Sequence, residues 1–172
     1  MLSWQGYDPH FIEFLRAAFA AESGAALVKK HAGADPLFTP EGYATYADDL
    51  LERMTNPHLG DTVERVARDL ERKLGWDDRL VGTVRVCLEG GVPPLRFSLG
   101  AAAALALLRP GALDDPRKFE AAARSLWKTP APDADELRAV LEALEEGRRV
   151  FTLWRAAEVP DLALFLSENG EG

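Results

Sequence analysis

The stretch SLGAAAALALLRPG, residues 98–111, decides the fold. Its side chains are apolar on nearly every side of a helix, and an alanine-rich helix without a polar face has to be enclosed by other elements. The stretch therefore predicts a central helix, the hub of an all-α domain. Its apolar run, Leu99–Leu108, is shorter than the ~18 residues that a membrane-spanning helix needs.

Working outward, almost every segment repeats at the helical period. Leu80, Val84, Cys87 and Leu88 mark a helix that Gly90-Gly91 stops, and Pro93-Pro94 then opens the hub. Upstream, the pairs Asp8-Pro9, Thr39-Pro40, Asn56-Pro57 and Asp115-Pro116 each place a capping side chain before a proline, which loses no hydrogen bond at the first helical position. Phe11, Leu15, Ala18 and Phe19 form one apolar stripe, and Tyr43, Tyr46, Ala47, Leu50, Leu51 and Met54 form another. Val63, Val66, Ala67 and Leu70 extend the pattern from Leu59, Phe119, Ala122, Ala123 and Leu126 follow the hub, and Leu137, Val140, Leu141 and Leu144 mark a last amphipathic helix. The expectation is a single multi-helical domain of about seven helices over residues 1–150. RVFTLW, residues 149–154, is the one stretch with much β propensity, and residues 151–172 read as a tail, a short docked helix with a frayed acidic end.

Composition narrows the function. With 172 residues, 47% of them hydrophobic and 28% charged, the chain can bury one substantial core. A net charge of −8 argues against binding a phosphate backbone, so no nucleic-acid partner is expected, and no membrane association either. One cysteine, Cys87, cannot form an internal disulfide, and the N-terminal residues lack a signal-peptide pattern, which points to the reducing cytoplasm. His10, His31, His58 and Cys87 are dispersed without paired ligand spacing, so no metal is expected. Cys87 on an apolar stripe reads as core, no GxSxG elbow occurs, and neither GxGxxG nor GxxxxGK[ST] is present to cradle a cofactor phosphate.

The remaining chemical signal is NPHLGDTVERVARDLERKLGWDDRL, residues 56–80, where arginines and a lysine alternate with aspartates and glutamates. One reading is a solvated helix face, with Asp61–Arg65, Glu64–Arg68 and Asp69–Lys73 as acid-before-base pairs, each worth ~0.3–0.5 kcal/mol. The other is that Arg65 and Lys73 turn into a cleft to bind an anionic or polyhydroxylated ligand. A helix ending near Asp69 would aim Lys73 differently from a continued one, and spacing leaves both readings open.

Four signatures, ESGAALVKKH (22–31), NPHLGDTVERVARDLERKL (56–74), DDRLVG (77–82) and LGAAAALALL (99–108), resemble the C-terminal domain of the mannitol dehydrogenase family, nearest its mannitol-1-phosphate branch. The resemblance covers roughly Phe11 to Leu144. It implies a helical domain like that of the 6-phosphogluconate dehydrogenase C-terminal-like fold, which closes over a polyol or sugar-phosphate substrate while a Rossmann domain holds NAD. The reaction it implies is hydride transfer interconverting mannitol 1-phosphate and fructose 6-phosphate.

The family's catalytic lysine lies in a K-x4-N-x2-H segment that this chain does not contain: its three histidines have Tyr7, Val28 and Thr55 where the motif needs asparagine. In the family that segment lies upstream of where this chain begins, so neither a catalytic residue nor a cofactor site is expected here, and NAD is implied only for the complete enzyme. The residues that carry over are on the substrate side: Arg65 and Lys73 as sugar-chain contacts, Asn56 and Asp61 as residues shaping their loop, and Arg79 as a binding or ion-pairing residue. Gly82-Thr83 stands where the sugar-phosphate enzymes often have Lys-Pro, which keeps free polyols and sugar acids open as ligands. The implied partner is a Rossmann-type domain or separate subunit, and apolar surface exposed at that junction would favour self-association. A different class of reading is a stand-alone helical module, derived from such an enzyme, for ligand sensing or protein interaction.

Overall fold

The computed structural model describes residues 9–59, 65, 67–127, 133–157 and 161–169. In chain order α1 (Pro9–Ala17) runs through a π-helical stretch (Ala18–Gly24) directly into α2 (Ala25–His31), followed by α3 (Pro40–Met54), α4 (Leu70–Lys73), α5 (Val81–Glu89), α6 (Leu95–Leu108), α7 (Pro116–Ser125), α8 (Ala134–Ala157) and α9 (Leu162–Asn169). Short 3₁₀ turns at Pro36–Phe38, Pro57–Leu59 and Ala112–Asp114 join them. No strand occurs among the described residues, so the all-α expectation holds. No helix among them is long and apolar enough to cross a membrane.

The hub is α6, in which Ser98, Leu99, Ala101, Ala102, Ala104 and Leu105 are all buried. Its broadest packing is against α8, whose Val140, Leu144, Gly147 and Val150 are buried. Alanine, serine and glycine at this crossing let the two backbones approach closely, because there is almost no side chain between them. The main core gathers Trp76, Val81, Val84, Phe119, Ala123 and Leu126 around Ala101, Ala102 and Leu105. A second cluster joins Phe14, Leu99 and Val150 to Phe165 and Leu166 of α9. Helix α9 is thus docked on this cluster, while residues 151–157 continue α8.

Capping explains several boundaries. Thr39 Oγ1 accepts from Gly42 N at 3.0 Å and Asp115 Oδ1 from Arg117 N at 2.6 Å, each just before a proline. Asn56 Oδ1 accepts from His58 N at 2.9 Å but starts only a 3₁₀ turn. Asp8 of the remaining pair lies outside the described residues. Asp133 opens α8 by accepting from Asp135 N at 2.9 Å and Glu136 N at 3.2 Å.

Two segments differ from the sequence reading. RVFTLW is helical, because α8 continues through Val150 to Ala157, and Val150 buries itself in the second cluster. Burial on a helix face outweighs β propensity, which mainly expresses fit to a half-buried pleated surface. The helical pattern assigned from Leu59 to Leu70 is broken at Asp69, whose φ of 59° is left-handed. Aspartate tolerates that region better than most residues because its short polar side chain can bond locally. A new helix, α4, begins at the next residue.

Candidate functional site

The ESGAALVKKH signature builds the floor of the domain. The π-helical stretch buries Glu22, Ser23 and Gly24. Glu22 is 2% exposed, and its carboxylate accepts from Arg96 N at 2.8 Å and Phe97 N at 3.2 Å, with Arg96 Nη1 at 3.3 Å. It therefore caps the first turn of α6, whose own N-cap position, Pro94, offers no side-chain acceptor. Burial pushes the Glu22 carboxyl above its ordinary range, and the N–H groups of Arg96 and Phe97 oppose that shift without cancelling it.

Ser23 Oγ lies 3.0 Å from Tyr43 Oη, and Gly24 makes room for the Tyr43 ring, which a Cβ would approach to 2.6 Å. Lys29 Nζ donates to the Gly90 carbonyl at 2.7 Å, closing the C-terminus of α5, and Lys30 pairs with Glu89 at 2.7 Å. In this fold the signature is a set of ties from one helical run to α3, α5 and α6.

Above that floor lies a cleft of about 900 Å³. Phe14, Phe19, Tyr43, Tyr46 and Leu50 form an aromatic and apolar wall, and Asp77, Asp78, Arg79, Thr83, Arg85 and Arg96 supply the polar rim. Two of these arginines are committed. Arg96 pairs with Glu22, and Arg85 lies over the Trp76 ring at 4.6 Å while bonding Glu136 at 2.8 Å and Asp77 at 2.5 Å. Arg79 is exposed, and among the described residues its guanidinium makes no ion pair. The pair in this segment is instead Arg72 with Asp78, at 2.9 Å.

The sequence-derived residues are placed as follows. Arg79 lines the cleft. Lys73 is half-buried at the end of α4, and its carbonyl accepts from Leu80 N at 3.0 Å, which brings its backbone beside that of Arg79. Arg65 is exposed on the far side of the Asp69 break and is not among the described lining residues of the cleft. Asn56 uses its side chain to shape the turn after α3. Asp61 lies outside the described residues.

Sequence reasoning missed Glu22, Asp78, Arg85 and Arg96. The contact of Glu22 with residues 74 and 75 positions away leaves no local signal. Asp78 stands in the quoted DDRLVG signature, but its hold on Arg72, six residues upstream, is made only by the turn after α4. No group of histidine, cysteine, aspartate and glutamate among the described residues has the arrangement of a metal site.

The result is an all-helical domain with a cleft whose one wall is aromatic and apolar and whose rim carries both aspartates and arginines. The chain belongs to the mannitol dehydrogenase C-terminal domain family, whose model matches residues 7–122. It is also similar to mannitol-1-phosphate 5-dehydrogenase of Brevibacillus brevis, at 39% identity over 99 residues, which cover 58% of this chain and 24% of that protein. The matched part therefore spans about a quarter of the relative's length.

Proposed function

We propose that this chain is the substrate-binding helical domain of an NAD-dependent polyol or polyol-phosphate dehydrogenase, with mannitol 1-phosphate as the first candidate ligand. The observation that supports the reading is that Arg79, a cation matching the family pattern, lines the cleft, with the backbone of Lys73 bonded beside it through Leu80 N. A guanidinium group can engage a phosphate and the hydroxyls of a sugar chain together. The apolar wall would exclude water from the other side of the ligand.

The residues here do not fit a dinucleotide: the chain has no GxGxxG, and no strand occurs among the described residues. No redox step is therefore assigned to them. Their part is to bind and orient the polyol, while cofactor and catalytic base belong to a Rossmann-type domain or subunit. The reducing cytoplasm suits a chain whose single cysteine is buried and unpaired. A second reading, a stand-alone module for ligand sensing or protein interaction, draws on the exposure of Tyr46 beside the apolar wall.

The test is a calorimetric titration of the pure chain with mannitol 1-phosphate and with mannitol, alongside an assay for NAD reduction. Binding without NAD reduction is expected, and Arg79→Ala should weaken it about tenfold or more at a stability cost below about 1 kcal/mol. Turnover of NAD by the pure chain would overturn the division of labour. Unchanged binding by Arg79→Ala would remove that cation from the site.

A further inference from the structure

Asp78 makes four hydrogen bonds at the loop between α4 and α5. Asp78 Oδ1 accepts from Arg79 N at 2.7 Å, and Asp78 Oδ2 accepts from Arg72 Nη1 at 2.9 Å. Its backbone is also engaged: Asp78 N donates to Gly75 O at 3.1 Å, and Gly82 N donates to Asp78 O at 2.7 Å. Both carboxylate oxygens, the N–H and the C=O of a single residue thus fix the path from the end of α4 to the first turn of α5.

Holding Arg72 on Asp78 ties the end of α4 to the loop that carries Arg79. Arg79 is fixed from the same residue, through its own N–H, and its carbonyl accepts from Thr83 Oγ1 at 2.6 Å.

We infer that Asp78 is a positioning residue, whose carboxylate holds the loop so that Arg79 faces a ligand in the cleft. The inference rests on the reading of the cleft as a polyol site. The Arg79 N–H, followed by the Arg72 charge, holds the Asp78 carboxyl below its ordinary range, so it stays ionised at neutral pH. Arg72 is 54% exposed, and an ion pair that open adds little to the fold. Loss of a charge-assisted bond to the ligand, by contrast, costs about ten- to a hundredfold in affinity. A positioning role thus predicts a large effect on the ligand and a small one on melting.

The experiment titrates wild type, Asp78→Ala, Asp78→Asn and Arg72→Ala with mannitol 1-phosphate and with mannitol, following the amide spectrum, and records each melting temperature. Asp78→Ala should weaken binding about tenfold or more while melting within a few degrees of wild type. Asp78→Asn, which keeps an oxygen acceptor for Arg79 N, should recover part of that loss. Wild-type affinity in Asp78→Ala overturns the inference while leaving the site reading intact. If Asp78→Ala does not fold, wild-type affinity in Arg72→Ala and Asp78→Asn overturns it equally. Absence of binding by wild type overturns the site reading and this inference with it.

Discussion

Gly147 of α8 lies directly on the backbone of Ser98 in α6: a Cβ at position 147 would fall 2.3 Å from the Ser98 carbonyl carbon and 2.7 Å from Leu99 N. Backbone cannot swing aside as a flexible side chain can, so a single added methyl must push the hub and its largest partner apart. Gly147→Ala gains up to about 1 kcal/mol of helix propensity but loses more through forced separation. A net destabilisation of about 1–2 kcal/mol is expected, read as a lower midpoint in urea denaturation. A midpoint equal to or above that of wild type would contradict the packing described.

Glu22 gives the domain a pH dependence of definite sign. Its folded-state carboxyl is raised above the ordinary 4.5, chiefly by burial. The unfolded chain therefore ionises first, and the stability this group contributes is complete below pH 4.5 and declines as pH rises toward the folded value. The difference in unfolding free energy between wild type and Glu22→Gln should shrink through that window and then level off. Glu22→Ala, which leaves the Arg96 and Phe97 N–H groups without their acceptor, should cost about 2 kcal/mol or more at every pH. A flat difference curve would mean that Glu22 titrates as an ordinary surface carboxyl.

Cys87 is fully buried, and burial, reinforced by the Glu22 charge, pushes its thiol up to about 12. The thiolate is the reactive form, so Cys87 should resist a disulfide reagent at pH 8 in the native protein and react at once in denaturant. Rapid native labelling would place this helix stripe outside the core.

Helix α9 supplies Phe165 and Leu166 to the second cluster, beneath Phe14, Leu99 and Val150. Deleting residues 158–172 should lower stability by about 3 kcal/mol or more, from the apolar surface uncovered, and increase self-association. Melting curves and gel filtration check this. Unchanged stability would mean that the tail is dispensable to the fold.

Helical class, hub and most boundaries were legible in the sequence because they are local properties. Apolar residues on every side of residues 98–111 require enclosure, and Thr39-Pro40 and Asp115-Pro116 carry their own caps. The family signatures were legible as well, but not what they do. ESGAALVKKH contains the residues that tie three helices together, and nothing within ten residues says that Glu22 will meet the start of α6.

Lys73 was marked by the charge band and Arg79 by the family resemblance, whereas the approach of their backbones rests on the bond from Leu80 N to Lys73 O and on the hold of Asp78 on Arg79 N. The sequence by itself determined which segments are helices and which helix lies at the centre, since backbone hydrogen bonding and amphipathic periodicity act within a few residues. Only the tertiary structure decided which charges are committed to the fold and which line the cleft, because a salt bridge or a buried cap is made between residues that chain distance does not relate.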